Sequence, residues 1–248
     1  PFSLVNLLAH KKLRNYWFES GTPTFLVNLI KEKNFGMEKA ESYEVKSSAF
    51  SAYEIETLDV PTLLFQTGYI TIKDYNPEID LYTLSYPNLE VRNSFLDFLL
   101  NDFTKKQSDN LYPKLYFALS DGDIDGFMSI CESIFASIPY DEGSKLNEAN
   151  FHTLFYLMVS AGGLPAQSQV LNYMGKIDMV VELKNKVYIF EFKCNQSAEE
   201  AINQIIKKNY PKKYINSGKE IYIIGINFDS TKRNISEFKY IINPHQKI

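Results

Sequence analysis

Gly175-Lys176-Ile177-Asp178-Met179-Val180-Val181-Glu182-Leu183 and Lys186-Val187-Tyr188-Ile189-Phe190-Glu191-Phe192-Lys193 flank the pair Lys184-Asn185. Two runs rich in β-branched and aromatic residues, separated by two turn residues, read as a β-hairpin. A two-residue turn pairs Leu183 with Lys186, and stepping outward from it sets Asp178 opposite Glu191. Cross-strand partners share a face, with Cβ atoms ~5 Å apart. Lys193 lies two residues beyond Glu191 and projects from the same face. The register therefore predicts two carboxylates and an ammonium gathered at one end of the hairpin.

The surrounding elements follow from periodicity. Asn147 to Ser160 predicts a helix with Phe151, Leu154, Phe155 and Met158 on one stripe, stopped by Gly162-Gly163 and Pro165. A strand over about Gln167–Tyr173 precedes the hairpin strands, about 176–183 and 186–194. Ser197 then caps a helix with Ala201, Ile202, Ile205 and Ile206 inward, ending before Pro211. Glu220–Asn227 carries Ile221, Ile223, Ile224 and Ile226, a strand of the kind buried on both faces of a sheet. The order is helix, three strands, helix, strand.

Asp178, Glu191 and Lys193 suffice for metal-assisted phosphodiester hydrolysis. Two carboxylates and a backbone carbonyl, that of Phe192, can hold Mg²⁺ (or Mn²⁺) with several waters retained. Lys193 can orient the attacking water or stabilise charge on phosphorus. The bland reading of the same trio is a cross-strand salt bridge.

Upstream, Leu4, Leu7 and Leu8 begin a helical pattern that runs to Phe18, and Gly21-Thr22-Pro23 breaks it. Thr24 to about Lys33 reads as a second helix and Pro61 to Phe65 as a third, ended by Gly68. Tyr69–Ile72 and Leu81–Leu84 read as strands around Asn76-Pro77. Asn88 caps a helix carrying Val91, Phe95, Phe98 and Leu99. Short helices and a hairpin make a winged-helix-like region over residues 1–104, which binds DNA or only packs. Residues 105–146 read as a helical connector. Within it, Asp121-Gly122-Asp123-Ile124-Asp125-Gly126 with Glu132 satisfies an EF-hand calcium-loop pattern. However, Ile124, Phe127, Ile130, Cys131 and Ile134 already take helical spacing inside the loop. Capping of a helix N-terminus is the favoured explanation of those acids.

With 45% hydrophobic and 23% charged residues, the 248-residue chain can bury a core; disordered, collagen-like and disulfide-scaffold classes are excluded. No apolar run approaches the ~18 residues of a membrane helix. Cys131 and Cys194 stand alone, which fits a reducing, cytoplasmic setting. Pro1 replaces an initiator Met, and the start reads as a cut within a longer protein. The net charge of −4 hides an asymmetry. Residues 1–110 carry 11 basic against 15 acidic side chains and residues 111–175 carry 2 against 7, whereas residues 176–248 carry 13 against 8. A basic C-terminal third predicts a polyanion-facing surface, with Lys207, Lys208, Lys212, Lys213 and Lys219 after the last helix.

The helix–three strands–helix–strand order, with Asp178 and Glu191-Phe192-Lys193 on the second and third strands, resembles the PD-(D/E)XK nuclease superfamily. It is closest to a branch fused to AAA-ATPase-like proteins of bacteria. Phe151-His152, Gly175-Lys176-Ile177-Asp178, Ile189-Phe190-Glu191-Phe192-Lys193, Ala201, Gln204-Ile205 and Tyr210 carry the resemblance. Tyr16-Trp17-Phe18-Glu19-Ser20-Gly21-Thr22-Pro23 and Leu64-Phe65-Gln66-Thr67-Gly68-Tyr69 resemble the end of the ATPase portion of such proteins.

The resemblance implies an α/β (α+β) restriction-endonuclease-like αβββαβ core with a mixed sheet over residues 147–248. It implies a DNA-directed, Mg²⁺-dependent nuclease working with an upstream ATPase domain. Asp178 and Glu191 would be metal ligands, Lys193 the catalytic lysine and Glu148 an auxiliary acid. Lys176 stands where the branch carries arginine, and Gln204 resembles the helix glutamine of some relatives. Tyr210 follows Gln204 by six residues rather than four, so no role is carried to it. His152 either packs or faces the phosphate. No Gly-x-x-x-x-Gly-Lys-Ser/Thr occurs, so ATP binding by this chain is not expected. The rival readings are a non-catalytic module that binds nucleic acid or regulates the ATPase, and a nuclease fold that has lost turnover. A gap shared by Asp178 and Glu191 favours the nuclease; a buried salt bridge filling it favours the rivals.

Overall fold

The computed structural model describes residues 24–33, 35–51, 59–105, 111–139 and 148–243, with isolated positions 5, 8, 9 and 11. Apart from those positions, the helix expected to end at Phe18 lies outside the described residues, as does the stretch Tyr16–Pro23. The chain divides into two units, residues 1–99 and 100–248.

In the first unit, α1 (Thr24–Glu32) buries Leu26, Val27 and Ile30. A short strand, β1 (Tyr43–Lys46), was not expected, because only Val45 of its four residues is buried and no periodicity shows. α2 (Val60–Gln66) starts where Asp59 Oδ1 accepts the Thr62 N–H at 3.1 Å, with Pro61 in the first turn. Gly68, at φ +83°, releases the chain into β2 (Thr71–Asn76) and β3 (Leu81–Ser85). The antiparallel sheet runs β1-β3-β2. α3 (Leu89–Thr104) begins at Asn88, whose Oδ1 accepts the Val91 N–H at 2.9 Å.

The second unit opens with α4 (Tyr112–Asp121) and α5 (Ile124–Ala136). Gly122, left-handed at φ +84°, ends α4, and Asp123 Oδ1 caps α5 by accepting the Gly126 N–H at 2.9 Å. Asp123 is therefore a helix cap and Asp125 a first-turn acid of α5, and the expected helical spacing is met. Both helices lie within residues 105–146, the stretch expected as a helical connector. α6 (Glu148–Ala161) is buried almost all round from Leu154 to Ser160. Its Phe155 meets the rings of Phe190 and Phe192 at 5.6 and 5.1 Å, and Phe151 stacks on Phe228 at 4.6 Å.

The five-stranded sheet is ordered β4 (Ala166–Asn172), β5 (Gly175–Glu182), β6 (Lys186–Cys194), β7 (Glu220–Asp229), β8 (Asn234–Ile242). Only the β6–β7 pair is parallel. The crossover between them is α7 (Ala198–Lys207), which drives Ile202 and Ile205 into Val187, Ile189, Ile221 and Ile223 on the sheet's other face. Helices on both faces explain why β7 is buried from Ile221 to Phe228. This is a restriction-endonuclease-like α+β fold around a mixed sheet. The sequence order lacked β8: only Ile235 of its nine residues is buried, so no apolar run or clean alternation marks it. Among the described residues, no helix is long and apolar enough to cross a membrane.

Candidate active site

The hairpin keeps the expected register, with Leu183 N–H bonded to Lys186 O at 2.8 Å and pairs running from Glu182↔Val187 to Met179↔Phe190. The ladder stops one step short of Asp178 and Glu191. In its place, Asp178 Oδ2 accepts the backbone N–H of Phe192 at 2.9 Å. The strand end is thus closed by a carboxylate rather than a carbonyl, which fixes that carboxylate beside Glu191-Phe192-Lys193.

Glu191 is 1% exposed, an extreme position for a carboxyl group. Its Oε1 accepts from the Gln204 side-chain amide and lies 3.6 Å from the Lys193 ammonium. Lys193 Nζ also donates to Gln204 Oε1 at 2.9 Å. The other oxygen, Oε2, is buried with no hydrogen-bond partner. Burial and the nearby charge of Asp178 push the Glu191 carboxyl up to about 8, while Lys193 and Lys208 pull the other way. A buried acid with one orphaned oxygen beside a second carboxylate is a half-satisfied site.

Two features aim Gln204 at Glu191. Ser197 and Glu200 form a capping box that fixes the start of α7. Gly225, paired with Glu191 across β6–β7, lets the helix lie close: a Cβ there would stand 2.4 Å from Ala198 O and 2.9 Å from Ala201 Cβ. Sequence reasoning missed Gly225, although a lone glycine in an apolar strand signals close backbone approach.

His152 packs. Its Nε2 sits 3.1 Å from Asp178 O and 3.0 Å from Ser168 Oγ, Ser168 donates to the same carbonyl at 3.1 Å, and the His152 ring lies 5.2 Å from that of Phe192. Ser168, which no sequence signal marked, thus helps hold the β5 backbone at Asp178. Tyr210 is fully buried and donates to Lys176 O at 2.6 Å, holding the start of β5.

Glu148 stands exposed at the first residue of α6, where its charge bears on Cys194. The structure does not group it with Asp178 and Glu191: among the described residues, no cluster of three or more His, Cys, Asp and Glu is placed to hold a metal. Of the predicted nucleic-acid contacts, Gln204 lies inside the carboxylate network, and Lys208 is near enough for its charge to act on Glu191. Lys176, Lys207, Lys212 and Lys213 are exposed.

The mixed sheet presents Asp178 and Glu191-Phe192-Lys193 together at one hairpin end. Residues 146–238 match the family model described as PD-(D/E)XK nuclease superfamily. Over 248 aligned positions, 96% of this chain, the sequence is 33% identical to a protein of Azotobacter chroococcum mcd 1 described as "Uncharacterized protein in vnfD 5'region". That alignment takes in 48% of the relative, so the chain spans about half its length. No solved structure matches significantly.

Proposed function

We propose that residues 147–248 form a metal-dependent nuclease domain that hydrolyses phosphodiester bonds of nucleic acid, with DNA as the preferred substrate. The observation that carries this reading is Glu191 Oε2, a buried carboxylate oxygen without a partner, beside Asp178 and Lys193. The donor set fits Mg²⁺ or Mn²⁺. Asp178, Glu191 and the Phe192 carbonyl would hold the ion, with waters completing its shell. When bound, the ion polarises a phosphoryl oxygen and lowers the pKa of a coordinated water.

The chain's own residues do the rest. Glu191 gives up its proton as the site loads. Gln204 keeps Glu191 and Lys193 in one network, so that the carboxylate and the ammonium hold fixed positions. Lys193 supplies a positive charge for the attacking water and for the phosphorus centre as negative charge accumulates. Lys176, Lys207, Lys208, Lys212 and Lys213 bind the phosphate backbone, and Glu148 assists only if α6 brings it inward.

Residues 1–104 are read as the winged-helix-like end of an ATPase-like region, on the resemblance of Leu64–Tyr69, and the nuclease would then act within an ATPase–nuclease fusion. The Lys193–Glu191 contact favours a second reading, a non-catalytic nucleic-acid-binding or regulatory module. Incubation of supercoiled plasmid, linear duplex and single strands with Mg²⁺ or Mn²⁺ separates the two. Cleavage that EDTA abolishes is expected; a folded protein that binds but cuts none of the three would favour the second reading.

A further inference from the structure

The β4–β5 hairpin turns over in two residues, Tyr173 and Met174, between the paired Asn172 and Gly175. Turns of this length favour Asn, Asp or Gly. This one instead displays an apolar tip: Leu171 is 72% exposed, Tyr173 64% and Met174 51%. Leu171, Asn172, Tyr173, Lys212 and Lys213 line an open surface groove of about 390 Å³. Asn172 Nδ2 donates to Tyr210 O at 3.4 Å, which ties the wall of this groove to the segment bearing the lysines.

Lys212 and Lys213 put two positive charges on this lining. Lys212 Nζ lies 5.4 Å from the centre of the Tyr173 ring. Lys208 Nζ would stand 3.3 Å from a Cβ at Gly175, whose φ of +147° is open to glycine. None of Lys176, Lys208, Lys212 and Lys213 forms an ion pair with a carboxylate among the described residues. An apolar protein partner has no use for four ammonium groups held outside ion pairs. An unpaired nucleotide matches both features, because its base offers a flat π-face to Tyr173 and its phosphates meet the lysines. Intact duplex hides those faces. From Gly175, Asp178 is three residues along the strand, about 10 Å, so a base on the tip lies within a few nucleotides of the carboxylates.

We propose that the Leu171–Met174 tip is a base-stacking platform, and that the nuclease takes nucleic acid with an unpaired strand, such as a single strand, frayed end or flap. This rests on the nuclease reading above. The test uses the whole 248-residue chain in EDTA, so that nothing is cut, with 2-aminopurine oligonucleotides of DNA and RNA, each single-stranded and as blunt duplex. Single strands should bind tighter than duplex and show a change in base fluorescence. Tyr173→Ala should weaken single-strand binding about 5- to 100-fold and abolish the fluorescence change. Tyr173→Phe, which keeps the ring, should retain both. If Tyr173→Ala binds like wild type while Lys212→Gln with Lys213→Gln weakens binding, the platform is overturned and the nucleic-acid reading survives. No binding to any oligonucleotide overturns both. Self-association that needs Tyr173 but no nucleic acid would assign the tip to a second copy and overturn the platform.

Discussion

The Phe192 N–H donates to Asp178 Oδ2 at 2.9 Å, one position beyond the last β5–β6 ladder pair. A carboxylate used this way is both structural and chemical: it completes the strand end and keeps a second oxygen for other work. Asp178→Asn retains an acceptor for that N–H and removes the charge that raises Glu191. The metal-free variant should therefore melt at the wild-type temperature or a few degrees above it. Asp178→Ala loses the acceptor and should cost about 1 kcal/mol. Thermal unfolding of the three proteins in EDTA checks this ordering.

Glu191 makes stability depend on pH. Burial and the Asp178 charge push its carboxyl up to about 8, against an ordinary value of 4.5. Between those values the folded chain binds one more proton than the unfolded chain. Stability should therefore fall as pH rises from about 4.5 to about 8, by a few kcal/mol at most. Urea unfolding in EDTA at pH 5, 6.5 and 8 should show that decline in wild type and a flatter profile in Glu191→Gln. Parallel profiles would contradict the account.

Gly225 permits the approach of α7 that delivers Gln204 to Glu191. Because the obstructing atoms include the Ala198 carbonyl, Gly225→Ala must shift the helix rather than a side chain. We expect a destabilisation of about 1–3 kcal/mol and reduced activity. Gln204→Ala leaves the helix in place but removes the bridge between Glu191 and Lys193. It should lower metal affinity or turnover about 10–100-fold with little change in melting temperature. Calorimetry and cleavage rates on both variants separate displacement of the helix from loss of the amide.

Much of this was legible because the controlling signals are local. The hairpin register followed from a two-residue turn and alternation, and the caps at Asn88 and Ser197 followed from residue type. β1 and β8 escaped because their strand character comes from neighbours: each buries a single residue and borrows its order from the sheet it joins. Within the site, Asp178, Glu191 and Lys193 could be read from register. The orphaned Oε2 and the Ser168 and His152 contacts with the Asp178 carbonyl depend on how α6 and α7 pack, which no local pattern specifies.

The lysines at and beyond the end of α7 predict a strong ionic-strength effect. Each one that meets a phosphate should contribute about 0.7–0.9 to the slope of log affinity against log salt. Replacing Lys207, Lys208, Lys212 and Lys213 by Gln should flatten that slope in fluorescence-anisotropy titrations. An unchanged slope would make them a solvated face.

The central claim is that Asp178 and Glu191 jointly hold a hard divalent cation, and titration calorimetry with Mn²⁺ tests it most directly. Wild type should bind with release of the Glu191 proton near pH 7, seen as a heat that varies with the buffer's ionisation enthalpy. Lys193→Ala should still bind, because its proposed work is on the water and the phosphorus centre, and Asp178→Asn should not. Equal Mn²⁺ binding by wild type and Asp178→Asn would contradict the account.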